Sequence, residues 1–481
     1  MVTAAPVSHW MGDPGEIQIK LLESALIPLA VSLLGIFLVP KSGKIRYREG
    51  IAIVTFSWLF ASIFGAIPFI WVCHLSKVDA FFETMSGFTT TGASILADIE
   101  VQPKGILYWR SMTHWLGGMG IVVLSLAIMP ILGIGGMQLY KAEAPGPTSD
   151  QLTPRIANTA KILWGVYLLL SLAETAFLML PIGGKGMSLF EAWCHTCGTV
   201  ATGGFSTRNT SVASFHSAYI EWVIIIFMFL SGTNFVLHLR ALRGKPFAFW
   251  RDEEFRFYFY IILFSVATIG AGLYVKFGYG PLTTIRHAAF SVVSVVTTTG
   301  FCTEDFDLWP AYARLVLIGL MFMGGCGGST AGAMKASRVL LLLKYARVQL
   351  RRCLFPRSVV NVRLDDNRVN DGIMSRVLGF FFMYVGIFFV MTLLICAVEP
   401  KLATPVYGDA THNMSMRSVE TAISSVATTL GGVGPGLAKV GPTRNYAWCS
   451  IPTKLILSFA MLIGRLEIFT MLALFLPEFW R

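Results

Sequence analysis

Apolar runs near or above the ~18–20 residues needed to cross a bilayer recur along this chain. They cover 21–39, 51–73, 106–132, 162–181, 219–237, 257–275, 311–343, 377–398 and 452–476, and each predicts a transmembrane helix. Between several of them lies a shorter apolar stretch, too short to span, that ends in threonine and glycine. The string VTTTGF at 296–301 has a near copy, FTTTGA, at 88–93, and a relative, VATGGF, at 200–205.

These strings share a frame. Gly92, Gly204 and Gly300 align; an alanine stands twelve residues before each (Ala80, Ala192, Ala288), and a small residue six before (Ser86, Gly198, Ser294). The stretch TAISSVATTLGGVGPGL at 421–437 fits with Ala422, Thr428 and Gly434, although Gly431 and Gly432 are rival anchors. Four units result, each a long apolar segment, a short one, a Thr/Gly cluster, a polar loop and a second long segment. The predicted fold is an all-α polytopic membrane protein with four helix–pore loop–helix repeats about a pseudo-fourfold axis. An N-terminal segment, 1–50, carries one helix ahead of repeats at 51–137, 138–240, 241–345 and 346–481.

Composition agrees. Apolar residues make up 54% of the chain and charged residues 14%, against about a quarter in soluble domains. Mean hydropathy is +0.65. The net charge of +11 does not point to nucleic acid, because the basic residues fall in alternate loops. Lys41, Lys44, Arg46 and Arg48 form one group, Lys141, Arg155 and Lys161 another, and Arg240, Arg243, Lys245, Arg251 and Arg256 a third; the densest runs from Lys335 to Arg376. This positive-inside pattern places those loops and Arg481 in the cytoplasm and, counting back, the N-terminus outside. The first twenty residues contain no signal-peptide apolar core. Cys194 and Cys197 form a CxxC outside any soluble βαβ context, which predicts structural thiols.

By the same charge count the four glycines lie on the outer side. Non-helical backbone at membrane depth must be buried in protein or line water. Glycine supplies the dihedrals such backbone needs and leaves the axis open. Four strands around one line give rings of carbonyl oxygens that replace the hydration shell of a monovalent cation. The half-length helices would direct their partially negative C-terminal ends inward. The competing reading of each cluster is close helix packing through small residues; four in register favour the pore.

The span 311–343 is interrupted by GGCGGSTAGAMK. Gly324, Gly328 and Gly332 recur at every fourth position, which fits a packing face, or alternatively an unwound segment bordering water. Arg465 lies inside the last span, a functional candidate by position. Glu467, two residues on, does not share its helix face. Arg110 and His114 share a face one turn apart, with snorkelling to the interface one explanation of Arg110, and Glu174 lies within a span.

The chain resembles the Trk/Ktr/HKT superfamily of potassium uptake proteins, most closely its bacterial TrkH/TrkG type. The resemblance runs from about Arg46 to the C-terminus. It is carried by DAFFETMSGFTTTGA (79–93), WLGGMGIVVLSLAIMPILGIGGMQLY (115–140), ATGGFST (201–207), WRDEEFR (250–256), GGCGGSTAGAMK (324–335), LGGVGPGL (430–437) and GRLEIFTMLALFLPEFW (464–480). The resemblance implies K⁺ as transported ion, held by Thr89, Thr90, Thr91, Gly92, Ala201, Thr202, Gly203, Gly204, Thr297, Thr298, Thr299, Gly300, Gly431, Gly432, Val433 and Gly434. It implies an intramembrane gate at Gly324, Gly325, Gly327, Gly328, Ser329, Thr330 and Gly332, with Arg465 beside it. A homodimer in the lipid of the bacterial inner membrane follows, with a peripheral TrkA-type nucleotide-binding subunit on the cytoplasmic face.

Two departures stand out. The family has two helices before the first module where one is evident here. Gly431-Gly432 replaces the asparagines usual in TrkH proteins. Glycine at all four anchors matches potassium-selective members, whereas plant relatives with serine at the first tend to pass sodium.

No GxGxxG unit in a soluble strand–helix context is present, so GGMG at 117–120 and GIGG at 133–136 are not nucleotide sites and no organic cofactor is expected. No HExxH, metal-ligand cluster or nucleophile elbow suggests an enzyme. An alternating-access transporter would favour inverted repeats and a midplane site; these repeats are parallel and their unusual backbone lies outward. Proton-coupled symport by the same fold, with Glu174, Glu467 and His114 as relay groups, is the alternative to channel-like conduction.

Overall fold

The computed structural model describes residues 1–38, 47–120, 156–182, 186–357, 361–365, 367–369, 371–403, 414–466 and 468–480. Lys41, Lys44, Arg46, Lys141, Arg155, the GIGG stretch and the side chain of Glu467 lie outside the described residues.

Each unit has the predicted order. The first helices are Tyr47–Gly65, prolonged by Ile67–Val72, then Ile156–Met179, Glu253–Phe277 and Asp371–Val398. The half-helices are Lys77–Phe88, Leu189–Val200, Pro281–Val296 and Met414–Gly431. The return helices are Lys104–Trp115, Ala218–Ser231, Ala311–Met321 and Ile451–Leu466. Local chemistry sets the starts of the half-helices. Ser76 and Ser188 accept from the amides of Asp79 and Glu191, which closes the first turn. Pro281 opens the third at a position where no amide is needed.

Every half-helix packs against its own first helix and against the return helix of the preceding unit, with the first unit closing on the fourth. Ion pairs mark three of these seams: Asp79–Lys454 at 2.6 Å, Arg286–Glu221 at 2.9 Å and Glu420–Arg314 at 2.8 Å. At the fourth seam Leu107 packs against Phe190 and Cys194. The cyclic order makes the four units one closed bundle about a common centre.

Two helices precede the first unit, Ala4–Trp10 and Gly15–Leu38, of which only the second is long enough to span. Asp13 between them accepts the backbone amides of Lys104 and Gly105 at 3.1 and 2.8 Å, capping the first return helix from outside its own sequence.

Three apolar runs depart from continuous spans. The run 219–237 breaks after Ser231, and Phe235–Leu242 leaves at 101°. Gly232, Thr233 and Asn234 make this corner, and the Asn234 side chain caps the new helix through the Val236 amide at 2.9 Å. The first return helix passes into a π turn at Leu116–Gly120. The run 311–343 is two helices, Ala311–Met321 and Ala336–Leu354, joined by non-helical residues 322–335. The every-fourth-residue glycines there are therefore not a helix face. Cys194 and Cys197 are free, buried thiols on the second half-helix.

Candidate functional site

The four Thr/Gly clusters carry the same backbone. The residue two before each anchor has a left-handed φ: Thr90 at 53°, Thr202 at 56°, Thr298 at 58° and Gly432 at 72°. The anchors follow suit, Gly92 at 81°, Gly204 at 77°, Gly300 at 81° and Gly434 at 91°. Between them, the amides of Thr91, Gly203, Thr299 and Val433 turn back to the carbonyls of Ser86, Gly198, Ser294 and Thr428, at 2.9, 2.7, 2.8 and 2.8 Å. These acceptors are the small residues that set the sequence register. A trans peptide holds its N–H and C=O on opposite sides. The carbonyls of Thr90, Thr202, Thr298 and Gly432 thus point away from their own half-helices. Gly434 takes the anchor place in the fourth unit, and Gly432 takes the place of the threonines.

The ribbons meet. A Cβ on Gly92 would overlap the carbonyl oxygen of Gly203; one on Gly204 that of Thr299; one on Gly300 that of Val433; and one on Gly434 that of Thr91. Each anchor abuts the carbonyl just before the next anchor, and the fourth returns to the first. Ala80, Ala192, Ala288 and Ala422 are fully buried behind them.

Side chains brace two of the ribbons internally. Thr89 and Thr297 donate to the carbonyls of Met85 and Val293 at 2.6 and 2.7 Å. Their hydroxyls also meet those of Thr91 and Thr299 at 2.9 and 2.8 Å. Ala201 and Gly203, and Gly431 and Val433, cannot form these pairs. A left-handed threonine costs roughly 1–2 kcal/mol, so three of them persist only because the surroundings hold them.

Residues 322–335 reach directly to this ring. The chain folds back on itself, with the Gly324 amide donating to Met334 O at 2.9 Å and Ala336 to Gly325 O at 3.1 Å. The Gly332 amide donates to the Thr298 hydroxyl at 2.7 Å. Thr330 donates to Val200 O at 3.0 Å and Ser231 O at 3.3 Å. The loop also fits the corner of the second unit: Cys326 N donates to Gly232 O at 2.8 Å, and Phe235 N to Gly328 O at 3.1 Å. Ser329 donates to Cys326 O at 2.6 Å, Gly325 lies against the Gly232 carbonyl, and Gly327 N donates to Glu254 at 2.7 Å.

Arg465 clamps the loop from the opposite side. Its guanidinium donates to Thr330 O at 2.9 Å, and to Gly117 O and Gly118 O at 2.7 and 3.0 Å. These bonds tie the fourth return helix, the loop and the π turn of the first unit.

Arg110 is buried rather than snorkelling; its Nε lies 2.7 Å from Glu83 Oε1. His114 packs behind the ring with Nδ1 2.7 Å from Gly87 O. Glu174 is fully buried within the first helix of the second unit, with the Thr199 hydroxyl beside its carboxyl group. Outside the bundle Asp98 accepts from the Asn209 amide group at 2.9 Å, which holds its carboxyl below the usual range and links the loops of the first two units.

Three contributors had little signal in the sequence. Glu254 Oε1 accepts from Gly327 N and Ser337 N at 2.7 and 2.8 Å and so ties the inside of the loop to the start of the helix that follows it, although in the sequence it stands only as part of WRDEEFR. Tyr446 donates to Gly434 O at 2.9 Å, and its amide donates to Ser94 O at 2.8 Å, joining the fourth ribbon to the first. The corner at Gly232–Asn234 sits inside an unremarkable apolar run.

Apolar helices long enough to cross a bilayer surround a closed ring of backbone ribbons, the arrangement of a membrane transport protein. The chain belongs to the TrkH family, whose model, described as cation transport protein, matches residues 26–481. It is 42% identical over 446 residues to the Trk system potassium uptake protein TrkH of Salmonella typhimurium, covering 92% of this chain and 88% of that one. It is 34% identical to TrkG of Escherichia coli K12, covering 92% and 87%. The crystal structure of the potassium transporter TrkH from Vibrio parahaemolyticus superimposes with a TM-score of 0.85 at 34% identity, covering 100% of this chain and 96% of that one.

Proposed function

We propose that this chain takes up K⁺ through the ring formed by Thr89–Gly92, Ala201–Gly204, Thr297–Gly300 and Gly431–Gly434. The observation that carries the reading is the closure of that ring: each anchor glycine lies against the carbonyl that precedes the next. Backbone oxygens so arranged substitute for the water around a monovalent cation. Relatives of more than two-fifths identity named as potassium uptake proteins support the choice of ion.

Residues 322–335 act as the gate below the ring, with Arg465 both tying it shut and repelling cations. The basic segment from Lys335 to Arg376 faces the cytoplasm of a bacterial inner-membrane protein whose C-terminus is cytoplasmic. A TrkA-type nucleotide-binding subunit docks there, and the chain works as a homodimer with repeats at 51–137, 138–240, 241–345 and 346–481. A second reading, proton-coupled K⁺ symport, is favoured by the carboxyl of Glu174, fully buried within a span.

The test is cation flux in proteoliposomes with K⁺, Rb⁺ and Na⁺, with and without an imposed pH gradient, comparing the wild type with Gly300→Ser. Wild-type uptake of K⁺ over Na⁺, weakened by the substitution, is expected. Equal flux of K⁺ and Na⁺ through the wild type would sink the reading. K⁺ accumulation driven by the pH gradient alone would select symport.

A further inference from the structure

Burying a guanidinium and a carboxylate is costly, and well-packed apolar residues in their place are often as stable. Glu83 and Arg110 are nonetheless both buried and paired at 2.7 Å behind the first ribbon. What the pair touches explains where it sits. Glu83 accepts from the Ser94 hydroxyl at 3.0 Å and from the Ile95 amide at 2.8 Å. Those residues stand two and three places after Gly92, so the carboxylate holds the outer end of the first ribbon. Arg110 donates to Ser206 O at 2.9 Å and lies 3.5 Å from the centre of the Phe205 ring. Those residues follow Gly204, so the guanidinium holds the outer end of the second.

The far face of Phe205 completes the link. It stacks on His114 at 4.0 Å, and a Cβ on Gly203 would run into that imidazole at 2.5 Å. Glu83 stands nine residues before its anchor, where the other units have His195, Ser291 and Ser425. The carboxylate is therefore special to the first unit. The other neighbouring pairs are joined differently: the fourth and first through Tyr446, the second and third through the Ala213 amide to Cys302 O at 3.3 Å, and the third and fourth through the Ala438 amide to Asp307 Oδ1 at 3.1 Å.

We propose that Glu83 and Arg110 are a positioning pair for ion discrimination: one buried salt bridge fixes the spacing of the first and second ribbons and hence the width of the carbonyl ring on that side. The pair touches backbone and Phe205, not the ion, and acts through the ribbons. Neutral residues would leave the ring closed but compliant, so that it shrinks around the smaller Na⁺ as readily as it encloses K⁺. The proposal rests on the uptake reading above.

The experiment measures K⁺, Rb⁺ and Na⁺ uptake in proteoliposomes for wild type, Glu83→Gln, Arg110→Gln and Arg110→Lys. It also records half-saturating K⁺, maximal rate and melting temperature in detergent. The expected result is loss of K⁺ preference in both glutamine variants with K⁺ uptake retained, and partial recovery of preference in Arg110→Lys. Wild-type preference in the glutamine variants, or a fall in maximal rate and melting temperature with the ion ratio unchanged, overturns the proposal. Should the glutamine variants fail to accumulate, Phe205→Leu and Ser94→Ala carry the test, since each loosens one arm while leaving the charges paired. Loss of preference in either supports the proposal, and its retention in both overturns it. A wild type with no preference for K⁺ would instead remove the uptake reading itself.

Discussion

The hydroxyl of Thr298 accepts the backbone amide of Gly332 at 2.7 Å, joining the third ribbon of the ring to the loop that interrupts the third return helix. Ring and loop, the proposed filter and gate, therefore share a hydrogen bond. Thr298→Val keeps the shape but removes the acceptor, leaving the Gly332 amide unpaired at a cost of about 1–3 kcal/mol. The loop should leave its resting position more often. Single-channel or flux recordings should show longer open times with little change in ion preference. Open times equal to wild type would separate the two elements.

Arg465 supplies three donor contacts to carbonyls from two other segments. Hydrogen bonds from a charged donor contribute roughly 1.5–3 kcal/mol each. Losing about 2 kcal/mol of tethering shifts a closed-to-open equilibrium by roughly thirtyfold. Arg465→Ala should thus raise basal K⁺ flux. Arg465→Lys keeps the charge but lacks the planar fork that reaches several acceptors, and should fall between. Flux in liposomes at matched protein content checks the order; an alanine variant slower than the lysine one would contradict it.

Glu254 holds Gly327 and Ser337 from the start of the third first helix, so it staples the loop to the scaffold at two amides. Glu254→Gln retains one carbonyl acceptor and should loosen the loop modestly. Glu254→Ala leaves both amides without it and should have the larger effect. Limited proteolysis at the loop, compared with a site in an outer loop, reads this directly. Equal cleavage in wild type and alanine variant would show that the staple bears no load.

The parts of this site legible in the sequence are those where the backbone demands particular residues. Left-handed φ combined with a neighbouring carbonyl where a Cβ would sit requires glycine at the anchors, so Gly92, Gly204, Gly300 and Gly434 stand out in register. The alanines and small residues behind them are forced by burial and by the amides that fold back on Ser86, Gly198, Ser294 and Thr428. The unwound third return helix was visible because glycines cluster there. The corner at Gly232 was not, since one glycine in an apolar run is also ordinary helix packing. Glu83 and Arg110 are separated by a half-helix, a ribbon and a loop, and no short-range pattern joins them. Arg465 was found as a charge in a span, but its partners are carbonyls, and carbonyls are the same in every sequence.

The fourth ribbon offers a sharp contrast within one tripeptide. Gly432 and Gly434 both have positive φ, at 72° and 91°, yet their surroundings differ. A Cβ on Gly432 would meet nothing closer than 4.0 Å, whereas one on Gly434 would lie 2.5 Å from Thr91 O. Gly432 also occupies the place held by Thr90, Thr202 and Thr298 in the other units, each left-handed at 53–58°. Gly432→Thr should therefore cost no more than the roughly 1–2 kcal/mol of a left-handed residue and should keep uptake. Gly434→Ala adds the same strain and also pushes the Thr91 carbonyl out of the ring, so uptake should collapse although only a methyl group is added. Growth of a K⁺-uptake-deficient strain on limiting K⁺, with membrane abundance measured alongside, ranks the two. If Gly432→Thr fails while Gly434→Ala grows, the anchor belongs two residues earlier and the fourfold alignment of the ribbons is wrong.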